Sequence, residues 1–86
     1  MAKVTIYTRP MCGYCARAVS LLKQKKIDFE EIDAGFDQKK REEMVQRSHG
    51  GRTFPQIFIG KDHVGGCDQL MALERSGKLD GMLGLK

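Results

Sequence analysis

The sequence predicts an α/β fold, a four-stranded mixed sheet with helices on both faces, in the order β-α-β-α-β-β-α. Two observations carry this prediction. Short strand-like runs, such as Val4-Thr5-Ile6-Tyr7 and Pro55-Gln56-Ile57-Phe58-Ile59, alternate with longer runs of helical period. Turn-forming residues fall between them, at Arg9-Pro10-Met11, Ala34-Gly35-Phe36, His49-Gly50-Gly51 and Gly60-Lys61-Asp62.

Taken in order, the first strand is expected over about 3–8, with Val4 and Ile6 on one face. Pro10 cannot belong to a central strand, so the chain leaves the sheet before it. The first helix is expected over 13–26. Its Cys15, Ala18, Val19 and Leu22 fall at i, i+3, i+4 and i+7. Lys23, Lys25 and Lys26 then complement its C-terminal dipole. A second strand over 27–33 carries Phe29 and Ile32, whose spacing of three is not a clean strand period. Asp37 is a candidate N-cap for a polar helix ending near Ser48, with Met44 and Val45 inward. The run 55–59 is the third strand, and His63-Val64 is a short return strand after a hairpin turn. Gly65-Gly66 bends the chain into a helix over 68–76, ended by Gly77. Leu79, Met82 and Leu83 suggest one last amphipathic turn. The βαβ half gives a parallel pair with a right-handed crossover, and the second half an antiparallel hairpin with a covering helix.

Eighty-six residues make a single domain, 1–86, with a modest core. Hydrophobic residues at 41% and charged residues at 30% mark it as globular rather than disordered. Apolar runs are too short for a membrane helix. No signal or transit segment precedes the first strand, so a cytoplasmic protein is expected. The net charge of +4 is scattered, and its clusters at 23–26 and 39–41 lack an aromatic platform. They read as solvated helix surface, which leaves nucleic acid and membrane off the list of expected partners.

The chemistry gathers at Cys12-Gly13-Tyr14-Cys15. Cys12 opens the first helix, where unpaired N–H groups and the positive dipole end favour a thiolate. Cys15 lies on the same face three residues on, within closing distance if the first turn adjusts. Three cysteines, two of them in one CxxC, do not make the disulfide framework of a secreted miniprotein. A CxxC beside a βαβ pattern reads as redox-active. A zinc site completed by His63 and Cys67 is a remote alternative, because 47 residues separate Cys15 from His63.

The element order together with CGYC, Thr53-Phe54-Pro55 and Gly65-Gly66-Cys67-Asp68 resembles a glutaredoxin of the short bacterial dithiol type, with a thioredoxin-like fold. The resemblance covers almost the whole chain. It implies that Cys12 is the nucleophile that takes a glutathionyl group and that Cys15 is the resolving thiol. It implies a glutathione site made by Arg9, Tyr14, Arg41, Thr53, Phe54, Pro55, Gly66, Cys67 and Asp68. In that picture Tyr14 flanks glutathione, Arg9 supports the thiolate, and Arg41 meets the glycine carboxylate. Pro55 is cis and leaves Phe54 free to pair strand-like with the cysteinyl part. Gly66, Cys67 and Asp68 present N–H groups to the γ-glutamyl carboxylate, and Asp68 can meet its ammonium. Read without the resemblance, Tyr14, Arg9 and Arg41 are ordinary exposed residues and Asp68 is an N-cap.

The chain departs from the family pattern at two places. Gly13 stands where proline is usual, and Phe54 where valine is usual. Cys67 adds a third thiol, read first as a small residue whose N–H matters and second as a site of glutathionylation. The resemblance therefore implies a glutathione-dependent thiol–disulfide oxidoreductase, active in electron transport and cell redox homeostasis. Glutathione is its co-substrate, and glutathionylated or disulfide-containing proteins are its substrates. Glutathione reductase and NADPH act indirectly, and the chain works as a monomer. The alternative is a glutathione-ligated [2Fe–2S] cluster carrier or scaffold, formed as a minor dimeric species.

Overall fold

The computed structural model describes residues 3–85. Its elements are β1 (Val4–Thr8), α1 (Gly13–Gln24), β2 (Phe29–Asp33), α2 (Gln38–Arg47), β3 (Gln56–Ile59), β4 (Asp62–Gly65), α3 (Cys67–Arg75) and the single turn α4 (Leu79–Met82). They form one four-stranded sheet in the order β2-β1-β3-β4. β1 pairs in parallel with β2 and antiparallel with β3, and β3 pairs antiparallel with β4. This is the mixed sheet expected from the sequence, with the hairpin on one side of β1 and the crossover strand on the other.

Each face of the sheet has its own core. On one face Val4, Ile6, Ile57 and Ile59 pack with Ala18, Leu21 and Leu22 of α1, Leu70 of α3, and Leu79 and Leu83. On the other, Tyr7 and Phe58 pack with Ala34 and with Met44 of α2. The Tyr7 and Phe58 rings meet edge to face at 5.7 Å. Because β1 and β3 are central and covered on both faces, every one of their residues is buried. Tyr7 keeps its hydroxyl satisfied by donating to Glu43 and accepting from Arg47 Nη1 at 2.9 Å.

The irregular spacing of Phe29 and Ile32 now has a cause. Residues three apart on a strand point to opposite faces. Phe29 packs against the first core and Ile32 against the second. β2 is an edge strand that lends one apolar side chain to each.

Several boundaries move from their expected places. α1 ends at Gln24, because Lys26 adopts a left-handed conformation (φ 56°) that turns the chain. β2 then begins at Phe29 rather than Ile27. Lys25 does not serve the α1 dipole alone. Its Nζ lies 2.7 Å from Glu74 Oε1 and 2.7 Å from Asp80 Oδ1, tying α1 to α3 and α4. α3 starts at Cys67 with Gly66 as its N-cap, so Asp68 sits in the first turn and is not the cap. Asp37 is the N-cap of α2 as expected, accepting from Lys40 N at 3.1 Å.

The first core holds α1, and through it the CxxC, against the sheet. Leu22 is fully buried there. Leu22→Ala should therefore cost about 2–5 kcal/mol of stability, the range for leucine deletion in a packed core. Urea unfolding followed by circular dichroism checks this. A loss well under about 1 kcal/mol would mean that α1 is not anchored as described.

Candidate active site

β1 ends at Thr8, and the next four residues carry the chain off the sheet to the start of α1. Met11 makes the turn in a left-handed conformation (φ 58°) with its side chain fully exposed. Cys12 follows with extended backbone (φ −108°, ψ 110°) and caps the helix with its own sulfur. Its Sγ accepts from Cys15 N–H at 3.3 Å. Asn, Asp, Ser and Thr usually fill this role with oxygen. Here a sulfur takes the same place. Gly13 follows, and a Cβ placed on it would meet nothing within 4 Å. Packing therefore does not demand glycine where the family pattern has proline.

The two cysteines of the pair differ in environment. Cys12 is partly exposed and Cys15 is buried, and both are free thiols. Burial by itself raises the Cys12 pKa. Hydrogen bonds from the Cys15 side chain and N–H, the Arg9 charge and the Tyr14 N–H outweigh it, so Cys12 lies below the ordinary thiol value. Cys15 goes the other way. Burial, then the bond it gives to Cys12, push it up to about 12. Cys67 is buried too, and its pKa is raised, with Arg17 pulling weakly the other way. At neutral pH the structure thus holds one activated thiol and two protonated ones.

The remaining candidates fall into three places. One groove brings together Tyr14, Thr53, Phe54, Pro55, Gly66, Cys67 and Asp68, with Gln69 beside them. The Phe54–Pro55 peptide is cis. A Cβ on Gly66 would sit 3.5 Å from the Pro55 carbonyl oxygen, which shows how closely the loop before β3 approaches α3. Gly66 N–H is already donated to Gln69 Oε1 at 2.9 Å. The free donors at this helix start are therefore the first-turn N–H groups of Cys67 and Asp68. Gln69, three residues after the cap, was readable as half of a capping box, a signal the sequence analysis missed.

Arg9 lies outside that groove, in a second depression shared with Cys12, Cys15 and Glu31. Arg41 is elsewhere again. It lines a third depression with Phe36 and Arg52, and its guanidinium donates to the Gly35 carbonyl oxygen. Gly35 is needed at that point. A Cβ there would fall 2.6 Å from Pro10 Cδ and 2.9 Å from Arg9 Cβ.

His63 is exposed, as expected of a hairpin residue, but it is engaged. Its ring stacks on Phe58 at 4.9 Å and its Nε2 lies 2.6 Å from Gln56 Oε1. Among the described residues no three His, Cys, Asp or Glu side chains converge as metal ligands. A cluster with four sulfur ligands would find one activated thiolate on this chain and would need the other donors from outside it.

A cysteine that caps the first helix, a second cysteine one turn on and a cis proline entering β3 of this mixed sheet define a dithiol protein of thioredoxin-like fold. Comparison with known proteins narrows the class. The glutaredoxin family model matches residues 4–64. Glutaredoxin 3 of Escherichia coli K12 is 51% identical over 83 residues, 96% of this chain and 99% of that protein. The solution structure of a Brucella melitensis glutaredoxin superposes with a TM-score of 0.84 at 58% identity, covering 99% of this chain and 91% of that one. A buckwheat glutaredoxin–glutathione complex superposes with a TM-score of 0.85 at 32% identity, covering 96% and 77%. The chain belongs to the glutaredoxin family.

The pKa directions make a specific expectation. Alkylation by iodoacetamide should modify one thiol per reduced, folded chain at neutral pH, at Cys12. Its rate should rise with pH through an inflection below the free-cysteine value of about 8.5, since only the thiolate reacts. Arg9→Ala should move the inflection upward by removing a cation that favours the thiolate. Peptide mapping by mass spectrometry with rate measurements across pH checks both points. Equal labelling of Cys12 and Cys15 would contradict the asymmetry.

Proposed function

We propose that the chain is a glutathione-dependent thiol–disulfide oxidoreductase acting through Cys12 and Cys15. The observation that carries this reading is the asymmetry of the pair, an activated Cys12 beside a buried Cys15 raised to about 12. The Cys12 thiolate attacks the glutathionyl sulfur of a mixed disulfide. The S–S bond breaks, the substrate leaves as a thiolate and takes up a proton, and Cys12 becomes a mixed disulfide with glutathione. A second glutathione thiolate attacks the glutathionyl sulfur, forming glutathione disulfide and releasing the Cys12 thiolate. With a protein disulfide, Cys12 forms the mixed intermediate. Cys15 then loses its proton and attacks the Cys12 sulfur, forming a Cys12–Cys15 disulfide and releasing the substrate as a dithiol. Two glutathiones then reduce that disulfide and leave as glutathione disulfide. The high pKa of Cys15 keeps it out of the first step, and a low-pKa Cys12 is also the better leaving group when the second glutathione attacks its mixed disulfide.

The groove of Thr53, Phe54, Pro55, Cys67 and Asp68 is the proposed seat of glutathione. Cys67 and Asp68 N–H groups meet the γ-glutamyl carboxylate at a helix start. Asp68, exposed at the rim, meets the ammonium. A buckwheat glutaredoxin of the same fold has been solved in complex with glutathione, which supports glutathione as the ligand. Arg41, whose guanidinium donates to the Gly35 carbonyl, is the proposed partner of the glycine carboxylate. Glutathione reductase with NADPH restores the pool. Three cysteines, two of them in one CxxC, fit a reducing compartment such as the cytoplasm better than a disulfide framework.

The test is reduction of a small glutathione mixed disulfide, coupled to glutathione reductase and NADPH. Cys12→Ser should abolish it. Cys15→Ser should retain it while losing reduction of protein disulfides. Loss of the mixed-disulfide reaction in folded Cys15→Ser protein would overturn the monothiol route. Asp68→Ala should raise the Michaelis constant for the glutathionylated substrate by about tenfold, the scale of one charge-assisted hydrogen bond.

A further inference from the structure

Gln56 lies on β3 with 4% of its surface exposed, directly after the cis proline. Its amide nitrogen donates twice into the preceding loop, to Thr53 O at 3.0 Å and Thr53 Oγ1 at 3.2 Å. A carbonyl oxygen can only accept, so the nitrogen end of the amide must face Thr53. The amide oxygen then faces His63 Nε2 at 2.6 Å, and that ring nitrogen must carry the hydrogen. The ring is held in place by its stack on Phe58, and partial desolvation, with His49 nearby, lowers its pKa below the ordinary histidine value.

The other side of the amide is shaped as closely. A Cβ at Gly51 would fall 2.9 Å from Gln56 Nε2 and 2.6 Å from Ser48 Oγ. Ser48 Oγ in turn accepts from Gly51 N–H at 2.8 Å, fixing the segment that follows α2. Thr53, the residue all this holds, opens the Thr53-Phe54-Pro55 wall of the groove.

We infer that Gln56 is a positioning residue for glutathione binding, oriented by the Nε2–H of His63 and setting the Thr53-Phe54 backbone that glutathione pairs with. It touches no reacting atom. Its effect belongs in the affinity for the glutathionyl group rather than in thiolate chemistry. The kinetic consequence rests on the glutathione reading above, whereas the hydrogen-bond order of the relay does not.

Two measurements test it. Nitrogen-15 NMR of the reduced parent protein, at a pH well above the usual histidine range, should show His63 as the Nε2–H tautomer. The Nδ1–H tautomer would reverse the amide and overturn the inference, whatever the enzyme's substrate. The second is steady-state kinetics on a glutathione mixed disulfide. Gln56→Glu keeps an acceptor for His63 but cannot donate to the Thr53 carbonyl. Its Michaelis constant should rise about tenfold, as for a buried group left unsatisfied. Its limiting rate and the pH inflection of Cys12 alkylation should stay as in the parent. An unchanged Michaelis constant, or a loss confined to the limiting rate, would overturn the inference. Should Gln56→Glu fail to fold, His63→Phe preserves the stack and removes only the donor. It should raise the Michaelis constant less but measurably, and an unchanged value would again overturn the inference. A parent protein inactive on the mixed disulfide would count against the glutathione reading instead, with the tautomer result still deciding the relay.

Discussion

The hydrogen bond from Cys15 N–H to Cys12 Sγ is the point at which folding and chemistry share one contact. The helix needs an acceptor at its start, and the acceptor supplied is the sulfur that becomes the nucleophile. Helical phase does the rest. Cys15, Ala18 and Leu22 recur on the face pressed to the sheet, and all three are buried. Cys12 stands just outside that repeat and stays in reach of solvent. One cysteine is thus desolvated and the other stabilised as an anion by the same three residues of spacing. Had α1 begun one residue later, the cap and the inward face would no longer coincide with the two thiols.

β3 has a comparable double duty. Ile57 and Ile59 serve one core and Phe58 the other, which fixes the strand from both sides. The loop that enters it therefore has a rigid end. Pro55 is itself buried, and its carbonyl lies against Gly66 at the head of α3. Tyr14 completes the groove from α1. Three elements distant in sequence converge because each is anchored in the core first and presents its groove residue second.

Most of this was legible in the sequence where local signals act alone. Cys12 at a helix start, Asp37 as a cap, the hairpin turn at Gly60 and the glycines before α3 all follow from short-range rules. What escaped was tertiary. Phe29 and Ile32 looked like a poor strand because nothing local says that an edge strand serves two cores. Lys25 looked like one more dipole lysine because Glu74 and Asp80 are far away along the chain. Resemblance alone assigns Arg41 to the glycine carboxylate, and spacing does not show that its guanidinium donates to the Gly35 carbonyl. His63 was read as a surface residue, and it is exposed. Its link to Gln56 crosses a strand pair whose register has an irregularity between Ile57 and Phe58, which periodicity cannot show. Resemblance, not spacing, was what pointed to the cis peptide at Pro55.

The outer strand β2 carries a consequence for life at high concentration. An edge strand offers unpaired backbone groups to any other strand that drifts alongside. Here that border reads Phe-Glu-Glu-Ile-Asp, three carboxylates in five residues. Glu30 is drawn toward Lys3 at 3.4 Å and Glu31 accepts from Thr8 Oγ1 at 3.1 Å, so neither simply trails into solvent. A second copy laying its own β2 alongside would bring like charges together along the whole seam. The acidic border guards the small sheet against aggregation by strand addition.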